Sequence, residues 1–212
     1  MIELFVVTLG VFIALAVDSW WASRSDAVRR SAYLSALEAD MLAADSILEA
    51  GLRSVESSLR ESRAVLQYFD APAFDQAVED HGIPLGLPNV PIPIGTLRSL
   101  VNTSDITLLE DVSLRNALVR ESATLESGLL GLGRALSVSD AQLPIFGEVI
   151  QERLLRSDGE SAVPIWEVRD DVSLRGATWV LATNLVMYQG ELTILQESVR
   201  NVLSTIRDSR SR

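Results

Sequence analysis

Hydrophobic and polar positions set the first twenty residues apart from the rest of the chain. Ile2 to Trp21 reads I-E-L-F-V-V-T-L-G-V-F-I-A-L-A-V-D-S-W-W and carries charge only at Glu3 and Asp18. A helix of this composition is apolar all round and has no face for water. The fourteen uncharged residues between the two acids make about 21 Å of helix, short of a bilayer core of ~30 Å. Counted out to the tryptophans, twenty residues give about 30 Å, which matches. The pattern predicts a transmembrane helix over 2–21, with Trp20 and Trp21 in the headgroup belt and Arg24 just beyond it.

Helical periodicity continues past the span. From Ser19 to about Asp70 there is no proline, and Gly51 is the one glycine, so anchor and first long helix read as continuous. Leu34, Leu37, Met41, Leu48, Leu52, Val55, Leu59 and Leu66 make one apolar stripe, and charged residues fill the other faces. Taken as a strict heptad the stripe drifts, which favours packing within a bundle over a long coiled coil. Asp70-Ala71-Pro72 stops the helix. In 82–95, Pro84, Pro88, Pro91 and Pro93 alternate with aliphatic side chains, which excludes helix and predicts an extended strap. Its apolar content suits a segment laid over core, and a docking surface for a partner is the alternative.

Further on, Thr96–Asn102 reads as a short helix, followed by a turn at 103–105. A longer helix is expected from near Asp111 to about Arg156, kinked at Pro144 and weakened by Gly128, Gly131 and Gly133. The last runs from about Asp171 to Arg207, with Leu174, Leu181, Leu185, Leu192, Leu195, Val199, Val202 and Ile206 as its apolar stripe. Asp111-Val-Ser-Leu-Arg-Asn-Ala recurs as Asp171-Val-Ser-Leu-Arg-Gly-Ala, and each copy can open a helix with Asp or Ser as N-cap. The expected fold is all-α. An anchor over 1–22 continues into a long helix, and 23–212 packs as an elongated helical bundle with its strap at 82–95.

Two other readings compete for the N-terminal segment. Ala14-Leu15-Ala16 fits signal-peptide cleavage, but the stretch ahead of the apolar run holds Glu3 and no lysine or arginine. A buried core helix is the third possibility, disfavoured by the same all-round apolarity. Arg24, Arg29 and Arg30 on the C-terminal side favour a cytoplasmic domain by the positive-inside rule, with a periplasmic domain as the alternative. Within the span, Gly10 and Ala14 form a small-xxx-small pair that would let another helix approach; small residues facing lipid is the alternative.

Charge narrows the partners. Eighteen basic against 29 acidic residues give −11, and residues 1–30 sum to zero, so the whole excess lies in 31–212. Such a domain repels a phosphate backbone, which argues against nucleic acid. It also repels anionic headgroups, so the lipid bilayer is engaged through the anchor. The chain has no cysteine and one histidine, His81, which leaves only carboxylates to complete a zinc site. No G-x-S-x-G elbow is present to serve a triad built on His81, and Gly131-Leu-Gly133 lacks the spacing of a nucleotide loop. Trp166 and Trp179, among apolar neighbours, read as core or interface anchors. No catalytic residue, metal ligand or cofactor site is expected.

Gly10-Val-Phe-Ile-Ala-Leu-Ala-Val-Asp-Ser-Trp-Trp, then Tyr33-Leu-x-x-Leu-x-x-Asp40, resembles a family of uncharacterised bacterial single-pass membrane proteins that read G-I-L-I-A-L-x-I-N-N-W-N and Y-L-x-x-L-x-x-E-L. Thr96–Asn102 and Ile106–Leu118 are similar to that family's short helix, small-residue turn and N-x-x-L-R-x-x-L. Asp18-Ser19 stands in place of the usual Asn-Asn, and the basic leader that favours a periplasmic domain is missing. The family has no assigned activity, so the resemblance implies architecture and a bacterial cytoplasmic-membrane location. Together these features lead to the expectation of a non-enzymatic accessory or scaffolding subunit of a larger integral membrane complex, or alternatively a membrane-tethered helical sensor.

Overall fold

The structure, a computed structural model, describes residues 2–70, 87–147 and 171–211, with side chains from Gly10 onward except Ser104. About 90% of the described residues are helical and none is in a strand, as the all-α expectation required. Helix α1 runs Ile2–Asp70, α2 Gly95–Asn102, α3 Val112–Asp140 and α4 Val172–Arg210; a 3₁₀ turn at Ser104–Leu108 joins α2 to α3.

The 69-residue α1 continues from the apolar N-terminus into the charged region without a break. Its exposed faces carry the i,i+4 pairs Glu49–Arg53 (2.5 Å) and Glu56–Arg60 (3.2 Å), acid first. That order agrees with the helix dipole, and each pair contributes about 0.3–0.5 kcal/mol.

The buried face of α1 differs from the stripe drawn from large side chains alone. Leu34, Met41, Leu48, Val55, Ser62 and Phe69 are buried at strict seven-residue spacing. Leu37, Ala44, Gly51 and Val65 form a second column, with Ser58 half-buried between the last two. Ala44, Gly51 and Ser62 hold the register where hydrophobicity is weakest, while Leu52 and Leu66 sit only half-buried on the flank. Helix α4 shows the same 3.5-residue period: Leu174, Leu181, Tyr188, Leu195 and Val202 alternate with Thr178, Leu185, Leu192, Val199 and Ile206, all buried. Every member of its expected stripe is among them.

Both copies of the repeated heptapeptide open helices as their chemistry dictates. The Asp111 carboxylate accepts from the N–H groups of Ser113 (2.8 Å) and Leu114 (3.2 Å), and that of Asp171 from Leu174 N–H (2.9 Å). These are N-caps, each satisfying amides that have no partner within the helix. In both copies the valine is exposed and the leucine buried, so the cap also sets which face turns inward.

Pro144 acts differently from expectation. Instead of kinking one long helix, it sits in the first turn of a separate helical segment at 143–147, after α3 ends at Asp140 and residues 141–142 turn. A proline has no N–H to give the preceding turn but is welcome where a helix starts. The continuation to Arg156 lies outside the described residues. The three glycines of α3 leave that helix intact.

Two compact units divide the chain: residues 1–43, 93–122 and 200–212, and residues 44–92 and 123–199. In the first, Leu37 and Met41 of α1, Leu97 and Leu100 of α2, Leu118 of α3 and Ile206 of α4 supply core side chains. Tyr33 Oη donates to Asp105 (2.6 Å), Thr96 N–H to Asp40 (3.3 Å), and Arg210 pairs with Glu38. In the second, Leu48, Val55, Leu125, Leu181, Leu192 and Leu195 are buried. Two glycines there permit close approach. A Cβ on Gly51 would meet Val90 Cγ2 at 2.8 Å, and one on Gly128 would meet Leu195 Cδ2 at 2.7 Å.

Candidate interaction surfaces

The residues singled out for the membrane lie on α1 with nothing over them. Every residue from 10 to 25 is exposed, including Val11, Phe12, Ile13, Leu15 and Val17, and a Cβ on Gly10 would touch nothing within 4 Å. Gly10 and Ala14 are therefore open to whatever surrounds the helix. Trp20 and Trp21 are exposed, their ring centroids 6.5 Å apart and tilted by 57°. The Arg24 guanidinium lies 5.7 Å from the Trp20 centroid, a cation–π arrangement. Among the residues whose side chains are described, which begin at Gly10, no helix is long and apolar enough to cross a membrane. The expected span draws a third of its apolar residues from 4–9, whose side chains fall outside that set.

Of the strap, residues 87–94 are described and non-helical; Pro84 and His81 lie outside the described residues, as does Trp166. Val90 and Ile94 are buried, while Pro91 is exposed and Pro88 and Pro93 are half-buried. Proline supplies no N–H, so the segment is tied down through carbonyls and side chains: Tyr188 Oη donates to Pro88 O (2.7 Å). Burial pushes the Tyr188 phenol above its ordinary pKa. That of Tyr33 is raised first by its hydrogen bond to the Asp105 carboxylate and then by the charge of that group.

Among the described residues, each unit contains a concavity. In the first, a cavity of about 510 Å³ opens between Arg30 and Leu34 of α1, Glu110 and Asp111 at the start of α3, and Ser209 and Arg210 at the end of α4. Its arginines are neutralised locally, Arg30 by Glu110 (2.6 Å) and Arg210 by Glu38. In the second, a groove of about 310 Å³ runs between α3 (Ala135, Val138) and α4 (Trp179, Thr183, Met187). Asn184 on its wall is buried and donates to Ala135 O (2.6 Å). Trp179 is mostly exposed, so of the two roles expected for it, core or interface anchor, core is ruled out. The hydrophobic setting of Trp179 could not reveal this, because an indole among aliphatic neighbours has the same pattern on either face.

Among the described residues no group of three or more histidine, cysteine or carboxylate side chains is placed to hold a metal ion. Among the described residues Glu121 is a buried carboxylate, with Arg120 Nε at 3.4 Å. Every described buried side-chain nitrogen or oxygen has a hydrogen-bond partner. No family model, characterised protein or solved structure matches the chain.

Proposed function

We propose that the protein is a non-enzymatic accessory or scaffolding subunit of a larger integral membrane complex. It is anchored in the bacterial cytoplasmic membrane by a single helix over 2–21 that carries a helical-bundle domain over 23–212. One observation carries the reading. From Gly10 to Val17 α1 exposes apolar side chains around its whole circumference, broken by no charge, and then presents Trp20, Trp21 and Arg24 together. Proteins in water seldom leave so much contiguous apolar surface uncovered. Amphipathic rings with a cation over one of them suit headgroup depth. Positive flanking charge favours the cytoplasmic side for the domain.

The 69-residue helix makes span and first domain helix one element, so a partner gripping Gly10 and Ala14 in the membrane would also position the helical domain. The exposed Pro91 and half-buried Pro88 and Pro93 offer a docking edge along the strap.

Purification of the full chain from native membranes in mild detergent tests the proposal. Stoichiometric co-migration with an integral membrane partner is expected, and recovery as a lone species would overturn it. A second reading, a membrane-tethered sensor, is favoured by the cavity beside Arg30 and Leu34, because a ligand there would touch the same helix that enters the membrane.

A further inference from the structure

Beyond the N-terminal segment of α1, the solvent face of α4 stands apart from the acidic surface of the chain. Between Gly176 and Gly190 there is no charged residue. Outward from the helix stand Val172 (81% exposed), Trp179 (61%), Val186 (51%), Met187 (65%) and Ile194 (48%). These side chains fall into columns at seven-residue spacing. Val172, Trp179 and Val186 form one, Val180, Met187 and Ile194 another, and Gly176, Thr183 and Gly190 run between them. The face thus has a shallow central channel of small residues with an apolar ridge on either side. Nothing described lies over the channel, since a Cβ on Gly176 or Gly190 would meet no atom within 4 Å.

We propose that this face is a self-association surface, on which two copies pair through α4 across Thr183. Three observations select a second copy as the occupant. Area is the first: at their exposures the five large side chains leave on the order of 500 Å² of apolar surface per copy. A pair that covered all of it would bury about 1,000 Å², the lower bound for a biological protein contact. Charge is the second. Each chain carries −11, so copies repel over most approaches, and an uncharged face of four helical turns lets them meet without opposing like charges. The third is self-complementarity. Thr183 is seven residues from each glycine, so in either direction the channel of one copy meets that of the other, and the ridges interdigitate beside it. Trp179 and Met187, which also wall the groove toward Ala135 and Val138, are the residue types that anchor such contacts.

The full chain in detergent micelles tests this through its protein mass by light scattering and through single cysteines, unambiguous because the chain has none of its own. The wild type is expected at the mass of two chains. Thr183→Cys should form a disulfide-linked dimer under mild oxidation that reductant reverses, while the exposed control Ser127→Cys should give at least tenfold less. Trp179→Glu should reduce the mass to one chain with its helical circular dichroism unchanged, since its side chain is exposed. A single-chain wild type would overturn the proposal, as would a Trp179→Glu protein still at two chains, which would place the contact in the span. Equal cross-linking at Ser127→Cys, or capture of a different polypeptide by Thr183→Cys, would overturn it too.

Discussion

At the scale of single residues, burial decides which polar groups matter. The Tyr188 ring is wholly buried and its hydroxyl holds the strap at Pro88. Burial raises its pKa above the ordinary value near 10, so its contribution to stability is complete below that pH and is lost as pH rises through the folded-state value. Tyr33 acts with the same sign through Asp105. Unfolding midpoints should therefore fall as the pH rises above about 10. Tyr188→Phe should lower the midpoint at pH 8, by about 1 kcal/mol in free energy, and make the fall shallower; an unchanged slope would remove Tyr188 from the account. A tyrosine in this stretch reads from sequence as one more amphipathic residue. Its partner, a proline carbonyl a hundred positions earlier, is invisible to any local pattern.

At the scale of elements, the helices were legible where large side chains and caps mark them. The stripe of α4, the short helix α2 and the Asp111 and Asp171 caps all follow from spacing and side-chain chemistry. The complete registers of α1 were not legible, because Ala44 and Gly51 in one and Ser62 in the other are buried for their smallness, and smallness carries no hydrophobic signal. Pro144 marked an interruption, but whether a proline kinks or restarts a helix depends on hydrogen bonds two to four residues away. The glycines of α3 sharpen the same point. Gly128 is buried against Leu195, so Gly128→Ala is expected to cost about 1–3 kcal/mol by overpacking. Gly133 faces open space, and Gly133→Ala should stabilise by about 1 kcal/mol through helix propensity alone. Chemical denaturation of the two variants should move in opposite directions; equal shifts would mean that α3 and α4 do not approach as closely as described.

At the scale of the molecule, the division into two units left no trace in composition, because α1, α3 and α4 each contribute to both without a linker. The apolar N-terminus was the plainest feature of the sequence, and the exposed circumference of α1 from Gly10 onward is what makes its environment the central question. The exposed face of α4 escaped sequence reading for a related reason. Its inner heptad columns are apolar, so apolar residues on the outer face look like more core. The burial pattern separates the two sets, and with them a helix that packs inward from one that also offers a surface.

The most direct test of the account is the behaviour of the chain with and without residues 1–22. The full-length protein should stay with the membrane through an alkaline wash and require detergent for release, whereas the shortened chain should be recovered in solution with its helical circular dichroism retained. A full-length chain released by the wash would contradict the anchor. So would a shortened chain that aggregates, because residues 2–21 would then be packing against the domain rather than entering the bilayer.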